Sequence, residues 1–301
     1  MPELPEVQTI IDDLNEKIIG HRIIGVWFDA PKLIKKPKPK DFKKQIKGLK
    51  ITEVKRRGKN ILIYLKKCQM SGVKCQMFLL LIHQKLTGHL LYGKWEAKNG
   101  NVKSLIKGLL EEKVNNYIHL IFYLDNGWQL GLSDLRKFAK VMFGKKEEIE
   151  KMPDLSEIGP EPLNRYFNIS KFRNIIKKKK GKIKQVLMDQ KIIAGIGNIY
   201  SDEILWSAEI HPFKKTNELT ANELKNLYVA MRQILVKAIK FRGASISDYR
   251  DAFGKPGGYA KIRKVYQREG ESCSRCQIRI KRVKIGGRSA HFCPKCQSNR
   301  E

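Results

Sequence analysis

The 301-residue sequence predicts a multidomain α+β fold: an N-terminal helix, a strand-rich first half, a helical second half and a small metal-stapled tail. Three observations carry this expectation. Apolar residues recur at helical spacing in 5–19 and then in short β-like runs from about 21 to 143. A Pro-rich stretch at 151–163 separates these runs from amphipathic helical patterns. Two Cys-x2-Cys pairs stand close to the end.

The elements follow in order. Val7, Ile10, Ile11, Leu14 and Ile18 fall on one helical face, which Gly20 ends. Runs at 23–28, 51–55, 61–65, 78–83, 118–124 and 128–132 read as strands of a sandwich or barrel. Arg57-Gly58-Lys59-Asn60 reads as a turn that puts Lys59 at a hairpin tip. The Lys- and Pro-rich stretch 31–44 is expected to be a mobile loop. Residues 96–116 look like an inserted excursion with a short helix over 105–113. Pro153, Gly159, Pro160 and Pro162 mark a linker within 151–165. Helices are expected over 170–180, 182–190, 199–208 and 217–241, and a Gly/Pro-rich loop over 253–259. Domain boundaries are therefore placed at 1–150, 166–269 and 270–301.

Composition narrows the partners. Sixty-one Lys and Arg residues face 30 acids, a formal charge of +31, which favours a polyanion, above all nucleic acid. A basic membrane-surface protein is the weaker option. No run of about 18 apolar residues predicts a spanning helix, and the acidic, Pro-bearing N-terminus has no secretory pattern. A cytoplasmic location is expected, where six cysteines read as metal ligands or free thiols before disulfides. Cys68 and Cys75 read as ordinary thiols.

The N-terminus Met-Pro-Glu-Leu-Pro-Glu carries the strongest chemical signal. A small Pro2 invites removal of Met1, which would expose a secondary amine. An α-amine titrates near ~8 and a lysine near ~10.4, so the terminus is roughly two orders of magnitude richer in the neutral nucleophile at pH 7. Such an amine attacks a sugar carbon and gives an iminium, an electron sink for elimination. Glu3 and Glu6 stand beside it as candidate acid/base groups. The same residues also make an ordinary helix entry, with Pro5 in the first turn and acids at the dipole's positive end.

Cys273, Cys276, Cys293 and Cys296 have the spacing of a four-thiolate structural zinc site, one Zn2+ with no open position. Between the pairs, Gly286-Gly287 would present Arg288 at a hairpin tip, either for a nucleic-acid groove or as a solvated cation. Gly195-Ile196-Gly197 leads to Asn198, which stands where a helix N-cap belongs. Amides there bind phosphate, or Asn198 simply caps a helix corner. Lys177–Lys180, Lys182 and Lys184 lie just upstream and favour phosphate. Leu86 ends one strand, and Arg136 and Phe138 lie near another. A wedge plus an arginine can fill the gap left by an extruded base, although such residues are also common in cores and surfaces. Lys255 belongs to the 253–259 loop, which could close over such a base.

Taken together, MPELPEV, RRGK at 56–59, HxxxTG at 83–88, DLRKF at 134–138, AGIGNIYSDEILW at 194–206, GKPGGYAK and the CxxC–CxxC finger resemble the formamidopyrimidine-DNA glycosylase family (Fpg, or MutM) over nearly the whole chain. The resemblance implies an N-terminal β-sandwich, a helix–two-turn–helix domain and a zinc finger. It implies excision of oxidised purines from double-stranded DNA and strand cleavage by β,δ-elimination. In that reading Pro2 is the nucleophile, Glu3 the acid/base, Glu6 a structural or relay carboxylate and Lys59 a phosphate contact that assists proton transfer. Asn198 and Arg288 would clamp phosphates, Lys255 would serve the base-covering loop, and Leu86, Arg136 and Phe138 would fill the void. Two residues depart from the family pattern: Leu86 replaces its usual methionine, and Lys137 replaces a frequent arginine and loses the planar fork. A monomer is expected. Rival readings are an endonuclease VIII-like activity on oxidised pyrimidines and a noncatalytic zinc-finger DNA-binding protein.

Overall fold

The computed structural model describes residues 1–68, 75–98 and 101–298. The chain divides into two compact units: Met1–Ser156 with Arg242–Gly258, and Glu157–Phe241 with Tyr259–Glu301. The first contains α1 (Leu4–Ile18), β1 (Ile23–Phe28), β2 (Ile34–Lys36), α2 (Pro39–Ile46), β3 (Lys50–Arg57), β4 (Asn60–Cys68), β5 (Cys75–His83), β6 (His89–Gly93), β7 (Trp95–Lys98), β8 (Asn101–Ser104), β9 (Ile118–Leu124), β10 (Gln129–Ser133), β11 (Lys140–Lys145), α3 (Lys146–Glu150) and α4 (Pro153–Ser156).

Two sheets form the sandwich. One has the order β1-β9-β10-β6 and the other β2-β11-β5-β4-β3. Alternation along the strands supplies the core between them. Leu120, Phe122 and Leu124 of β9 share one cluster with Ile61, Ile63 and Leu65 of β4, Leu80 and Ile82 of β5, and the apolar face of α1. Phe42 of α2 meets Phe122 and Phe143 edge-on, at centroid distances of 6.2 and 5.9 Å.

Several expectations need correction here. The 31–44 stretch is not a loop: it carries β2 and most of α2, because Phe42 and Ile46, one helical turn apart, are both fully buried. Lysine density masked that short apolar face. The 105–113 helix is replaced by 3-10 turns at Leu109–Glu111 and Lys113–Asn115. The excursion instead pairs β7 with β8 and lays Trp95 and Leu110 against Ile118, Ile121 and Leu91. It covers the outer side of the four-stranded sheet. β6 and β11 were not foreseen, although each pairs within a main sheet. Cys68 and Cys75 are not free thiols: the β4–β5 register sets them opposite one another and they form a disulfide. The connection 69–74 lies outside the described residues.

The second unit contains α5 (Ile169–Lys177), α6 (Ile183–Met188), α7 (Asn198–Ser207), α8 (Ala221–Lys240), and the hairpin β12 (Lys281–Ile285) with β13 (Arg288–Phe292). The expected 217–241 helix starts later. Thr220 Oγ1 accepts the Glu223 N–H at 3.1 Å while Glu223 accepts that of Thr220 at 2.9 Å, a capping box that sets the start of α8. Arg242–Gly258, which the expected boundaries group with the helices, lies in the first unit. The cysteine-bearing tail lies with the helices in the second.

Candidate active site and metal centre

The start of α1 is buried. Pro2 is buried, and Glu3 and Glu6 are 2% and 1% exposed. One Glu6 oxygen accepts the Glu3 N–H at 2.8 Å and the other accepts the Ala244 N–H at 2.7 Å. Glu6 thus fixes the helix entry to the 242–258 segment. Desolvation pulls the terminal amine of Met1 below its ordinary pKa. Glu3 and Glu6 oppose that shift, and Lys59 adds to it. An amine in this setting is held towards its neutral, nucleophilic form. Lys59 does sit in the β3–β4 turn, beside Gly58 at φ 57°, but is only 6% exposed. A buried cation at a hairpin tip is unusual for a turn and fits a site. His83, at the end of β5, is held near a pKa of 3 by burial, with Lys85 and Lys59 adding to the shift. It stays neutral next to that lysine.

Leu86 and the Arg136–Phe138 loop are brought together by one residue that sequence reasoning missed. Asp134 is fully buried and accepts the N–H groups of Phe138 and Ala139 at 2.7 Å and the Thr87 hydroxyl. The Arg136 N–H donates to the Thr87 oxygen at 3.2 Å. These bonds tie the two loops together. They leave Phe138 50% exposed, with the Arg136 guanidinium 4.6 Å from its ring centre. An aspartate at the start of a turn between two strands is a recognisable Asx-type signal.

The 253–259 loop is organised by Asp251, whose Oδ1 accepts the N–H groups of Phe253 and Lys255 at 2.9 Å. Lys255 itself is exposed.

In the second unit, Asn198 is not the N-cap. Gly197 holds that position and Asn198 begins α7, so its amide is not spent on capping. Its side-chain oxygen is buried without a partner among the described residues. Gln190 shapes the turn before it, accepting the Gly195 N–H at 2.9 Å and donating to the Ile196 carbonyl at 2.7 Å. Lys184 does not join the upstream lysines as a phosphate contact: it is fully buried and paired with Asp202. Asp202 also accepts the backbone N–H of His291 in β13 at 2.9 Å. Glu203 accepts the N–H groups of Lys264, Val265 and Tyr266 at 2.8, 2.9 and 2.9 Å. α7 thus anchors the chain just before the first cysteine pair and, through β13, just before the second. Arg288 opens β13 opposite Ile285 across Gly286-Gly287, both with positive φ, and is exposed.

The four thiols converge. Cys273, Cys276, Cys293 and Cys296 have sulfur atoms within 4.8 Å of one another, with two cross-pair distances of 3.9 and 3.4 Å. A tetrahedron with Zn–S bonds of ~2.3 Å has edges of about 3.8 Å, so the donor set fits one zinc ion. Trp206, Val265 and Ile280 pack beside it.

Comparison with known proteins gives the same outline. Family models match at residues 1–141 (formamidopyrimidine-DNA glycosylase N-terminal domain), 158–250 (its H2TH domain) and 267–299 (zinc finger found in FPG and IleRS). A formamidopyrimidine-DNA glycosylase of Pelotomaculum thermopropionicum is 36% identical over 297 residues, with 99% of each chain covered. The Lactococcus lactis Fpg in complex with DNA containing an abasic site superposes with a TM-score of 0.83 at 32% identity, covering 99% of this chain and 100% of that one. A MutM structure with DNA containing carbocyclic 8-oxo-G gives the same TM-score and identity over the same shares.

Proposed function

This chain belongs to the formamidopyrimidine-DNA glycosylase family, and from that premise we propose that it excises oxidised purines from duplex DNA and cleaves the resulting abasic site through an imine on Pro2. The observation that carries the assignment of Pro2 is the desolvated terminus flanked by Glu3, Glu6 and Lys59.

The reaction is read as follows. The surplus of cations binds duplex phosphates. The damaged nucleotide is extruded, at a cost of a few kcal/mol that is smaller for a poorly stacked base. Leu86, Arg136 and Phe138 fill the void. With Met1 removed, the Pro2 nitrogen bonds to C1′ and sheds its proton, while the base leaves with the glycosidic electron pair and takes up a proton. The sugar ring opens as O4′ accepts a proton from Glu3, giving an iminium. Loss of a C2′ proton expels the 3′ phosphate, a second elimination expels the 5′ phosphate, and water releases the amine. Lys59, Asn198 and Arg288 hold phosphates next to the extruded nucleotide, with Lys59 also near the proton transfers, and Lys255 serves the covering loop. Glu6 positions the terminus. Zinc, held by the four cysteines, supplies structure to the Arg288 hairpin and no chemistry to the substrate. We read the chain as a DNA-associated monomer acting in the cytoplasm; among the described residues no helix is long and apolar enough to cross a membrane.

Borohydride trapping tests this. Duplexes containing 8-oxoguanine, an oxidised pyrimidine, an abasic site or no damage are incubated with the protein and reduced. A covalent adduct on 8-oxoguanine and abasic DNA that disappears in Pro2→Gly is expected. Binding without an adduct, in protein shown by mass to lack Met1, would favour the noncatalytic rival. Preferential trapping on the pyrimidine lesion would favour the endonuclease VIII-like one.

A further inference from the structure

We propose that Arg242 is a positioning residue for the N-terminal nucleophile, acting through a two-carboxylate ionic lock on Asp13 and Asp251. The inference rests on the imine reading above and names a device beyond it.

The lock is well defined. Arg242 Nη2 donates to both oxygens of Asp13 at 2.8 and 2.7 Å, and to Asp251 Oδ2 at 2.6 Å. Its Nε also reaches Asp251 Oδ2, at 3.1 Å. Asp13 and Asp251 are 6% and 1% exposed. Two buried carboxylates share one cation, and neither can be left unpaired cheaply. Arg242 holds this position with φ at 60°, a left-handed conformation that a non-glycine residue adopts only under local constraint.

The connection to the site is short. Asp13 and Glu6 are seven residues apart on α1, two helical turns, and so share one side of the helix. The Arg242-Gly243-Ala244 backbone runs along that side. Arg242 grips Asp13 at one end, and Ala244 donates to Glu6 at 2.7 Å at the other. Between them Gly243 lies so close that a Cβ there would stand 2.7 Å from Glu6 Oε1. Tyr249 closes the contact from the same segment, its hydroxyl donating to the Glu6 carbonyl at 3.3 Å. The second oxygen of Glu6 then holds the Glu3 N–H, one residue from Pro2. Release of Arg242 therefore frees the backbone that sets Glu6, and with it the entry of α1. The lock also reaches the covering loop, because Asp251 accepts the Phe253 and Lys255 amides.

Displacement of a reacting group by about 1 Å costs up to roughly a hundredfold in rate. Arg242→Met is thus expected to slow single-turnover borohydride trapping on abasic duplex by about ten- to a hundredfold at saturating protein, with Kd for an uncleavable abasic analogue changed less than about threefold. Arg242→Lys should recover part of the rate. The charged groups that act on the Met1 amine, one residue before Pro2 at the same helix entry, are Glu3, Glu6, Lys59 and Asp248, and Glu6 raises its pKa. Loss of the Glu6 contact should therefore move the acidic limb of the trapping profile to lower pH, which a merely structural ion pair would not do. A folded Arg242→Met protein with wild-type trapping rate and an unmoved limb would overturn the proposal. So would a rate that returns to normal once weak binding is saturated. If Arg242→Met does not fold, Asp13→Asn is read by the same two measurements. Absence of any adduct in the wild-type protein would instead defeat the imine reading itself.

Discussion

Gly257→Ala would push a methyl group into the backbone behind the Glu6 carboxylate. An ideal Cβ at 257 lies 2.3 Å from the Gly243 carbonyl oxygen and 2.4 Å from that of Arg242. Close carbon–oxygen contacts in proteins are about 3.3–3.6 Å, so one of the two chains must retreat by about 1 Å. Both obstacles are backbone, and no flexible side-chain end can yield. The same segment carries the 2.7 Å bond from Ala244 to Glu6, and a further ~1 Å takes that bond past hydrogen-bonding range. Overpacking costs about 1–3 kcal/mol and a lost bond to a charged group about 1.5–3 kcal/mol. Partial relaxation leaves an expected loss of about 3–5 kcal/mol. Urea unfolding followed by tryptophan fluorescence, with Trp27, Trp95 and Trp128 reporting from the first unit, measures it. Trapping on abasic duplex should slow in parallel. An unchanged unfolding midpoint together with an unchanged trapping rate would refute the argument that close backbone approach at 257 holds Glu6 in place.

Three further outcomes are expected. Lys184→Met strips the cation from a fully buried Asp202 and should destabilise the second unit by about 3–5 kcal/mol; equal stability in urea would mean that the bonds from His291 suffice. Chelation of zinc, worth about 10–16 kcal/mol of binding in small zinc domains, should abolish duplex binding in an anisotropy assay while the strand signal of the first unit persists in circular dichroism. His83 has a folded pKa near 3 against an ordinary 6.5. The unfolded chain thus binds the extra proton first, and stability held above ~6.5 is lost as pH falls towards ~3. His83→Asn should flatten that acid limb in unfolding midpoints taken at about pH 7 and 4.5; an unaltered slope would place the proton uptake elsewhere.

Much of the local structure was legible in the chain itself. The α1 face, most strands, the four thiols and the Pro2-Glu3 terminus follow from spacing and residue type, because helical period, strand alternation and metal-ligand geometry are short-range properties. Short apolar faces inside lysine-rich text were not: Phe42 and Ile46 acquire meaning only against Phe122 and Phe143. The Cys68–Cys75 disulfide depended on strand register, which sequence spacing does not encode. The buried anchors were likewise invisible. Asp134, Asp202 and Asp251 look like surface acids until tertiary contact gives each a set of amides to accept. What the sequence determined by itself is which reactive groups exist and the elements that carry them. Only the tertiary structure decided how those groups are held, because their partners lie far apart in the chain, as Ala244 does from Glu6, and a buried carboxylate is stable only where folding brings its donors to it.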